Sequence, residues 1–193
     1  MKELEQAVLR FGKVPSDGIL KVDMFLNHRL DTGLIKKMGQ EIASYFKEKK
    51  PSIILTVEAS GIALAITTAM ALNDIPVVFA KKSSALNQGL NRYMADVHSF
   101  TKNIDYKMSV EKAYLPKGSS VLIVDDFLAN GEAVKGMLKL IDLADCNCVG
   151  VAVAIEKGFQ PGGDYLRQNG IDLLSLCRVK SLENNKVELY SQD

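Results

Sequence analysis

The chain has 193 residues, of which 47% are apolar and 24% are charged, a composition typical of a single globular domain. Its 24 Lys and Arg residues nearly balance its 23 Asp and Glu residues, so it lacks the excess positive charge of a protein that binds nucleic acid. The three cysteines (Cys146, Cys148 and Cys177) fit neither a disulfide framework nor the spacing of a zinc site.

The N-terminal segment is charged and amphipathic, and it contains no uninterrupted apolar stretch that would act as a signal peptide. The longest apolar-rich run, at 62–72, falls short of the roughly 20 residues that a membrane span requires. We therefore expect a cytoplasmic protein with no membrane and no nucleic-acid partner.

Two amphipathic helices are predicted in the first fifty residues. The first contains Leu4, Ala7, Val8 and Phe11 at helical spacing and ends at Gly12. The second begins at Asp31-Thr32, and its apolar stripe comprises Leu34, Ile35, Met38, Ile42, Tyr45 and Phe46.

From residue 52 the pattern alternates between short apolar runs and segments of helical length. The runs predict buried strands at Ser52–Val57, Pro76–Ala80, Val121–Val124 and Val149–Ile155, and helices are predicted at 62–72 and 132–144. Buried strands separated by helices indicate βαβ units, so the predicted fold class is α/β with a parallel sheet. With no linker and no repeat, we predict a single domain over residues 1–193.

The segment 81–117 interrupts this alternation with weaker apolar periodicity and many polar residues. A long insertion of this kind is usually functional or mobile, and its residues Asp96–Thr101 are predicted as an excursion strand. The segments at about 1–30 and 170–193 are expected to form a small cap, here called the hood.

The most informative motif is the apolar strand that leads into Asp125, Asp126, a short loop and a helix. Ligands bind at the carboxyl ends of parallel strands, and a helix N-terminus there offers free N–H groups to a phosphate. The loop is formed by Ala129, Asn130, Gly131, Glu132 and Ala133. Two carboxylates would repel a phosphate but would accept hydrogen bonds from a ribose diol, so the motif predicts a ribose 5-phosphate site.

Alternative interpretations of the acidic pair are a solvated strand end, a doubled helix cap, or a response-regulator receiver. A receiver requires a following strand with a phospho-accepting Asp, and Val149–Ile155 contains none. The ribose-phosphate interpretation is therefore favoured.

A second loop, Glu58-Ala59-Ser60-Gly61, also follows a buried strand and precedes a helix, so its amides suit an anion, although a simple capping turn fits equally well. Lys81 and Lys82 follow another strand, where solvated lysines are the ordinary interpretation. Further on, Lys157 suits a carbonyl oxygen of a flat base and Phe159 suits its ring face, although Phe159 also fits ordinary hydrophobic cover.

These motifs together resemble those of the bacterial xanthine phosphoribosyltransferases, within the type I phosphoribosyltransferase family. The matching segments span nearly the whole chain in order: 20–28, 58–62, 79–82, 99–102, 125–133 and 155–162. The loop reads Leu-Ala-Asn-Gly-Glu-Ala, where many type I members have a Thr-Gly-rich loop, and Lys81 stands where many have Arg.

The resemblance implies the type I fold, with a mostly parallel sheet, a hood and a flexible loop that closes over the reactants. It implies transfer of the 5-phosphoribosyl group from phosphoribosyl pyrophosphate (PRPP) to N9 of xanthine, with Mg²⁺ held mainly by PRPP, in a homodimer. It assigns pyrophosphate to Glu58, Ala59, Ser60, Gly61 and Lys81, and it assigns the base to Leu20, Asn27, Lys157 and Phe159.

Two rival functions remain open at this point. One is a related enzyme that uses guanine or hypoxanthine, because a single donor or acceptor distinguishes these bases from xanthine. The other is a non-catalytic regulator that keeps the fold to sense a ligand. Such a regulator usually carries an added DNA-binding domain and basic charge, which the chain lacks.

Overall fold

The computed structural model describes residues 1–83, 91–99 and 104–190. The four predicted helices are present in this part of the chain, and a short fifth follows them. Their bounds are α1 Lys2–Phe11, α2 Thr32–Phe46, α3 Ile62–Ala71, α4 Glu132–Leu143 and α5 Gly162–Gln168. As predicted, Asp31 caps α2, because its carboxylate accepts a hydrogen bond from the Leu34 N–H at 3.0 Å.

Ten strands are present in the described residues: β1 Lys13–Ser16, β2 Ile19–Lys21, β3 Ile53–Val57, β4 Val77–Ser83, β5 Arg92–Ser99, β6 Ile104–Glu111, β7 Ser120–Leu128, β8 Asn147–Lys157, β9 Leu173–Glu183 and β10 Lys186–Leu189. The first two form a hairpin, and the other eight form one sheet in the order β10-β9-β8-β7-β3-β4-β6-β5. The five central strands are parallel and the outer pairs are antiparallel. The predicted mostly parallel α/β sheet is thus confirmed.

Successive residues of the central strands point to opposite faces of the sheet and fill two hydrophobic cores. Ile54 and Leu122 pack with α1, α2 and α3 on one face, whereas Leu55 and Ile123 pack with α4 and the β5–β6 hairpin on the other. This burial on both faces explains the continuous apolar runs of the central strands. Tyr45 was predicted on the apolar stripe of α2 but is 50% exposed, so that part of the prediction is wrong.

The segment predicted as an insertion supplies two strands to the main sheet. β5 and β6 form an antiparallel hairpin, and β6 pairs with the end of β4. Residues 96–99 of the predicted excursion strand lie in β5, whereas Phe100 and Thr101 lie outside the described residues. The predicted flexible loop also falls partly outside them, at 84–90 and 100–103.

The N-terminal elements of the chain pack against its C-terminal strands β9 and β10. The β1–β2 hairpin and a π-helical turn at Asp23–Asn27 follow α1 and pack near β9. The C-terminal part of the predicted hood is itself sheet, because β9 pairs in parallel with β8 and β10 pairs with β9. The N-terminal segment therefore rests against an edge of the main sheet.

Candidate functional site

Asp125 and Asp126 lie inside β7 and not beyond its end, so the strand extends four residues past its predicted end at Val124. Asp125 is opposite Val153 in β8, and pairing continues to Leu128 opposite Glu156. Both side chains are buried, with 4% and 8% exposure, and the Asp126 N–H donates to Asp125 Oδ1 at 2.9 Å. Burial, and then the neighbouring Asp126, raise the pKa of Asp125 well above its usual range.

The loop after β7 lines a cavity of about 200 Å³. Gly131 is the N-cap of α4 and has a φ of 85°, a left-handed conformation that glycine adopts without strain. Gly131 also lies close to Gly162, because a Cβ added at Gly131 would lie 3.1 Å from the Gly162 Cα. The Gly162 N–H donates to the Ala129 carbonyl at 3.0 Å. The start of α5 therefore supports the loop from behind.

The cavity is lined by the whole predicted phosphate loop together with residues of β4, β5, β6, the end of β7 and the start of α4: Lys82, His98, Tyr106, Phe127, Leu128, Ala129, Asn130, Gly131, Glu132, Ala133 and Val134. The Glu132 carboxylate is held by Lys135 at 2.7 Å. Backbone N–H groups at the N-terminus of a 12-residue helix give this cavity the character of an anion site.

The Glu58–Gly61 loop lies beside the acidic pair. The Glu58–Ala59 peptide bond is cis, and the Glu58 carboxylate accepts a hydrogen bond from the Lys82 backbone N–H at 2.7 Å. A Cβ on Gly61 would lie 2.8 Å from Asp125 Oδ1. The structure thus brings the predicted pyrophosphate loop and the predicted sugar site together.

Lys81 and Lys82 lie on opposite sides of β4, and Lys81, which the family resemblance assigns to pyrophosphate, faces away from this cavity, so its assignment stays a prediction. Lys82 lines the cavity, and its positive charge acts to lower the pKa of Asp125 against the effect of burial. Its ammonium lies 5.6 Å from the centroid of the Tyr106 ring. Lys81 lines a different cavity, of about 610 Å³, beside Phe79 and Ser109. The alternation of side chains along a strand was the signal that separates the two lysines.

Lys157 ends β8 next to the sugar site. Its Nζ donates to the Gly18 carbonyl at 2.8 Å and lies 5.9 Å from the centroid of the Phe127 ring. The side chain is half-buried, and burial lowers the pKa of its ammonium. Phe127 therefore faces both the phosphate-loop cavity and Lys157, a position that the sequence interpretation missed although the residue directly follows the acidic pair.

The other three predicted base residues lie in different surroundings. Leu20 is 7% exposed and belongs to the hydrophobic core beside α1, and Asn27 is exposed at the end of the π-helical turn. Phe159 is 42% exposed and lines a separate cavity of about 310 Å³ with the β1–β2 turn and residues 180–184. None of the three lines the phosphate-loop cavity.

A buried ion-pair network lies immediately before Lys157. Glu156 is 1% exposed and accepts two hydrogen bonds from Arg167, at 2.9 and 2.7 Å, and one from Ser175 at 2.5 Å. Burial acts to raise the pKa of Glu156, but the hydrogen bonds from Arg167 and Ser175 outweigh it and the pKa is lowered. Arg178 lies 3.2 Å away and stacks on Tyr190. The network joins the ends of β8 and β9 to α5.

Within residues 1–83, 91–99 and 104–190, no group of three or more His, Cys, Asp or Glu side chains forms a metal cage. No helix in the described part of the chain is long and apolar enough to cross a membrane.

Comparison with known proteins identifies relatives over almost the full length. A family model for the phosphoribosyl transferase domain matches residues 21–166. A xanthine phosphoribosyltransferase of Clostridioides difficile is 47% identical over 97% of this chain and 99% of its own. One of Bifidobacterium adolescentis is 46% identical over 99% of this chain and 100% of its own.

Solved structures share the fold at lower identity. Adenine phosphoribosyltransferase of Thermoanaerobacter pseudethanolicus superposes with a TM-score of 0.73 at 20% identity, over 91% of this chain and 99% of that one. The Saccharomyces cerevisiae enzyme, solved with an iminoaltritol bisphosphate and adenine, gives a TM-score of 0.70 at 25% identity, over 91% and 97%.

Proposed function

The chain belongs to the phosphoribosyltransferase family, and we infer that it transfers the 5-phosphoribosyl group from PRPP to N9 of xanthine, forming xanthosine 5′-monophosphate and pyrophosphate. The observation that carries this conclusion is the convergence of three features at one edge of the sheet. These are the buried Asp125–Asp126 pair, the N-terminus of α4 and the Glu58–Gly61 loop.

The sugar end of PRPP fits the acidic pair and the loop that follows it. The carboxylates of Asp125 and Asp126 accept hydrogen bonds from the ribose hydroxyls, and backbone N–H groups of Ala129–Ala133 hold the 5′-phosphate. Because Gly162 supports the loop through its bond to the Ala129 carbonyl, the phosphate site is preformed. A preformed site fixes the anomeric carbon with little loss of entropy on binding.

The reaction breaks the bond between the anomeric carbon and pyrophosphate and forms a bond from that carbon to xanthine N9. Positive charge develops on the sugar and negative charge on the departing pyrophosphate. The Glu58–Gly61 loop, joined to Lys82 by the hydrogen bond from the Lys82 backbone N–H to the Glu58 carboxylate, is the proposed partner of the departing pyrophosphate, and the Lys82 ammonium adds positive charge beside it. The protein thus contributes positioning and electrostatic stabilisation without a covalent intermediate. Exclusion of water by the segment after Lys81 stays a prediction.

The base site extends from Phe127 to Lys157. Xanthine is flat and carries carbonyl oxygens at C2 and C6, so an aromatic face and an ammonium donor suit it. Phe127 stacks against the base and Lys157 donates to one carbonyl oxygen. Leu20, Asn27 and Phe159 remain proposed from the family resemblance alone.

Mg²⁺ fits this site as a partner of the substrate. Mg²⁺ prefers oxygen ligands and is commonly bound through substrate phosphates with only one or two carboxylates. Asp125 and Asp126 are the carboxylates at hand, and they act through the ribose hydroxyls. When bound, the ion neutralises charge on the leaving pyrophosphate.

A homodimer and a cytoplasmic location complete the proposal. Phe79 and Tyr114, which are 43% and 58% exposed, line the 610 Å³ cavity between β4 and β6, and a second copy of the chain would remove this apolar surface from water. Tyr114→Glu is expected to lower the sedimentation coefficient to that of a monomer, and a wild-type monomer would contradict this assignment. The three free cysteines suit a reducing compartment.

The test is nucleotide formation with PRPP and Mg²⁺, with xanthine, guanine, hypoxanthine and adenine offered separately. Xanthine is expected to turn over fastest, and Asp125→Asn with Asp126→Asn is expected to abolish product. Asp142→Asn, a surface carboxylate of α4, is the matched control and should keep full activity.

Each rival predicts a different result. Preference for guanine or hypoxanthine would keep the sugar site and overturn the base assignment. Tight binding of PRPP without product from any base would favour the ligand-sensing regulator.

A further inference from the structure

The Lys157 ammonium is held in an unusual environment for a cation. It is half-buried, and in the parts of the chain that the structure describes it forms no ion pair with a carboxylate. One of its three N–H groups donates to the Gly18 carbonyl at 2.8 Å, and the Phe127 ring centroid lies 5.9 Å away. Two N–H groups therefore remain for a ligand.

Gly18 is itself fixed from the other side. It lies in the turn between β1 and β2 with a φ of 75°, and its N–H donates to the Leu182 carbonyl of β9 at 3.0 Å. The two peptide groups of Gly18 thus connect β9 to the end of β8 through the N-terminal hairpin. The side chain of a lysine is flexible, so its ammonium group can point in many directions. The hydrogen bond to the Gly18 carbonyl fixes the orientation of the Lys157 ammonium.

We propose that the Gly18 carbonyl is the positioning group for Lys157, and that the β1–β2 turn thereby sets the affinity of the enzyme for the base. The proposal rests on the proposed function, in which Lys157 donates to a carbonyl oxygen of xanthine. With one N–H directed at Gly18, the remaining two have fixed directions before the base arrives. Preorganisation of this kind raises affinity because less freedom is lost on binding.

The conformation of Gly18 allows a test that leaves Lys157 intact. Alanine strains a left-handed turn, so the free enzyme of a Gly18→Ala variant relaxes the turn and withdraws the carbonyl. Base binding must then restore the turn. We expect KM for xanthine to rise about fivefold, the factor equivalent to about 1 kcal/mol of strain, with KM for PRPP unchanged. Gly18→Asn, which tolerates this conformation, should restore KM for xanthine.

Gly118 provides a matched control. It has a φ of 81°, meets nothing within 4 Å when a Cβ is added, and donates its N–H to the Asp145 carbonyl far from the site, as Gly18 does to Leu182. Gly118→Ala should lower the melting temperature as much as Gly18→Ala while keeping both KM values.

A double-mutant cycle separates this proposal from the proposed function. Lys157→Met in the wild-type background tests the base assignment: an unchanged KM for xanthine would refute that assignment. Gly18→Ala in the Lys157→Met background tests the positioning role and should change KM for xanthine no further. The proposal is overturned if the Gly18→Ala effect persists without Lys157, if it is absent with Lys157 present, or if KM for PRPP rises equally.

Discussion

Gly61 lies where an added methyl group would press directly on the sugar site, so Gly61→Ala is a sharp test of that site. A Cβ here would stand 2.4 Å from Thr56 Oγ1 and 2.8 Å from Asp125 Oδ1, both buried. Because ordinary contact begins at 3.4 Å, the nearest group must withdraw by about 1 Å in a close-packed interior. The Gly61 backbone has a φ of −70°, which alanine adopts freely, so the methyl group acts by contact alone.

We expect Gly61→Ala to lower kcat/KM for PRPP about hundredfold, because a displacement of about 1 Å among groups that position the reactants costs this much. Overpacking is expected to cost about 2 kcal/mol of unfolding free energy, which lowers the melting temperature by about 6 °C. The assay is the initial rate of pyrophosphate release with saturating xanthine and varied PRPP, with thermal unfolding measured on the same preparation.

Gly39→Ala is the control for overpacking. A Cβ at Gly39 would lie 2.6 Å from the Thr67 carbonyl carbon, between α2 and α3 and away from the acidic pair. This variant should lose stability and keep kcat/KM. The reasoning is refuted if Gly61→Ala keeps the wild-type kcat/KM, or if Gly39→Ala loses activity to the same extent.

Three further predictions concern the groups around this site. Burial raises the pKa of Asp125, so the folded state binds a proton that the unfolded state releases, and the stability from this group is lost as pH rises above the usual Asp range. Asp125→Asn should therefore raise the melting temperature at neutral pH, with a gain that shrinks toward pH 4 in thermal scans, and an equal gain at every pH would contradict it. Glu156→Gln should lower the free energy of unfolding, measured in urea, by about 2 kcal/mol, because it removes the carboxylate that pairs with Arg167 and Arg178. An unchanged free energy of unfolding would contradict a stabilising role of this network. Phe127→Leu should raise KM for xanthine about fivefold through lost stacking, and an unchanged KM would contradict the base assignment of Phe127.

The alternation of strands and helices was predictable because the central strands are buried on both faces. Such strands appear as continuous apolar runs, and the runs ending at Val57 and Ala80 each mark a real strand. The end of β7 was not predictable by the same signal. Asp125 and Asp126 are polar, yet pairing with β8 continues beyond them to Leu128, and only the neighbouring strand reveals this.

The parts of the candidate site that the sequence could bring together are those that the chain itself connects. The acidic pair and the phosphate loop are contiguous, so one motif placed both. The sequence could not show which of Lys81 and Lys82 lines the phosphate-loop cavity, because neighbouring strands determine which face of β4 looks toward it.

The contacts that orient the base residues join distant parts of the chain, and this is why the sequence does not reveal them. Lys157 and Gly18 are separated by 139 residues, and the bond between them exists only because β9 holds the β1–β2 turn beside the end of β8. A glycine in a short hairpin turn is fully explained by its positive φ, so nothing local indicates a partner. Phe127 and Phe159 both flank recognisable motifs, so the sequence does not show which ring lies beside the Lys157 ammonium. The packing of the hood against the sheet determines this. The specificity for the base is therefore expected to depend on the hood segments that pack against the sheet more than on the motif that binds the sugar.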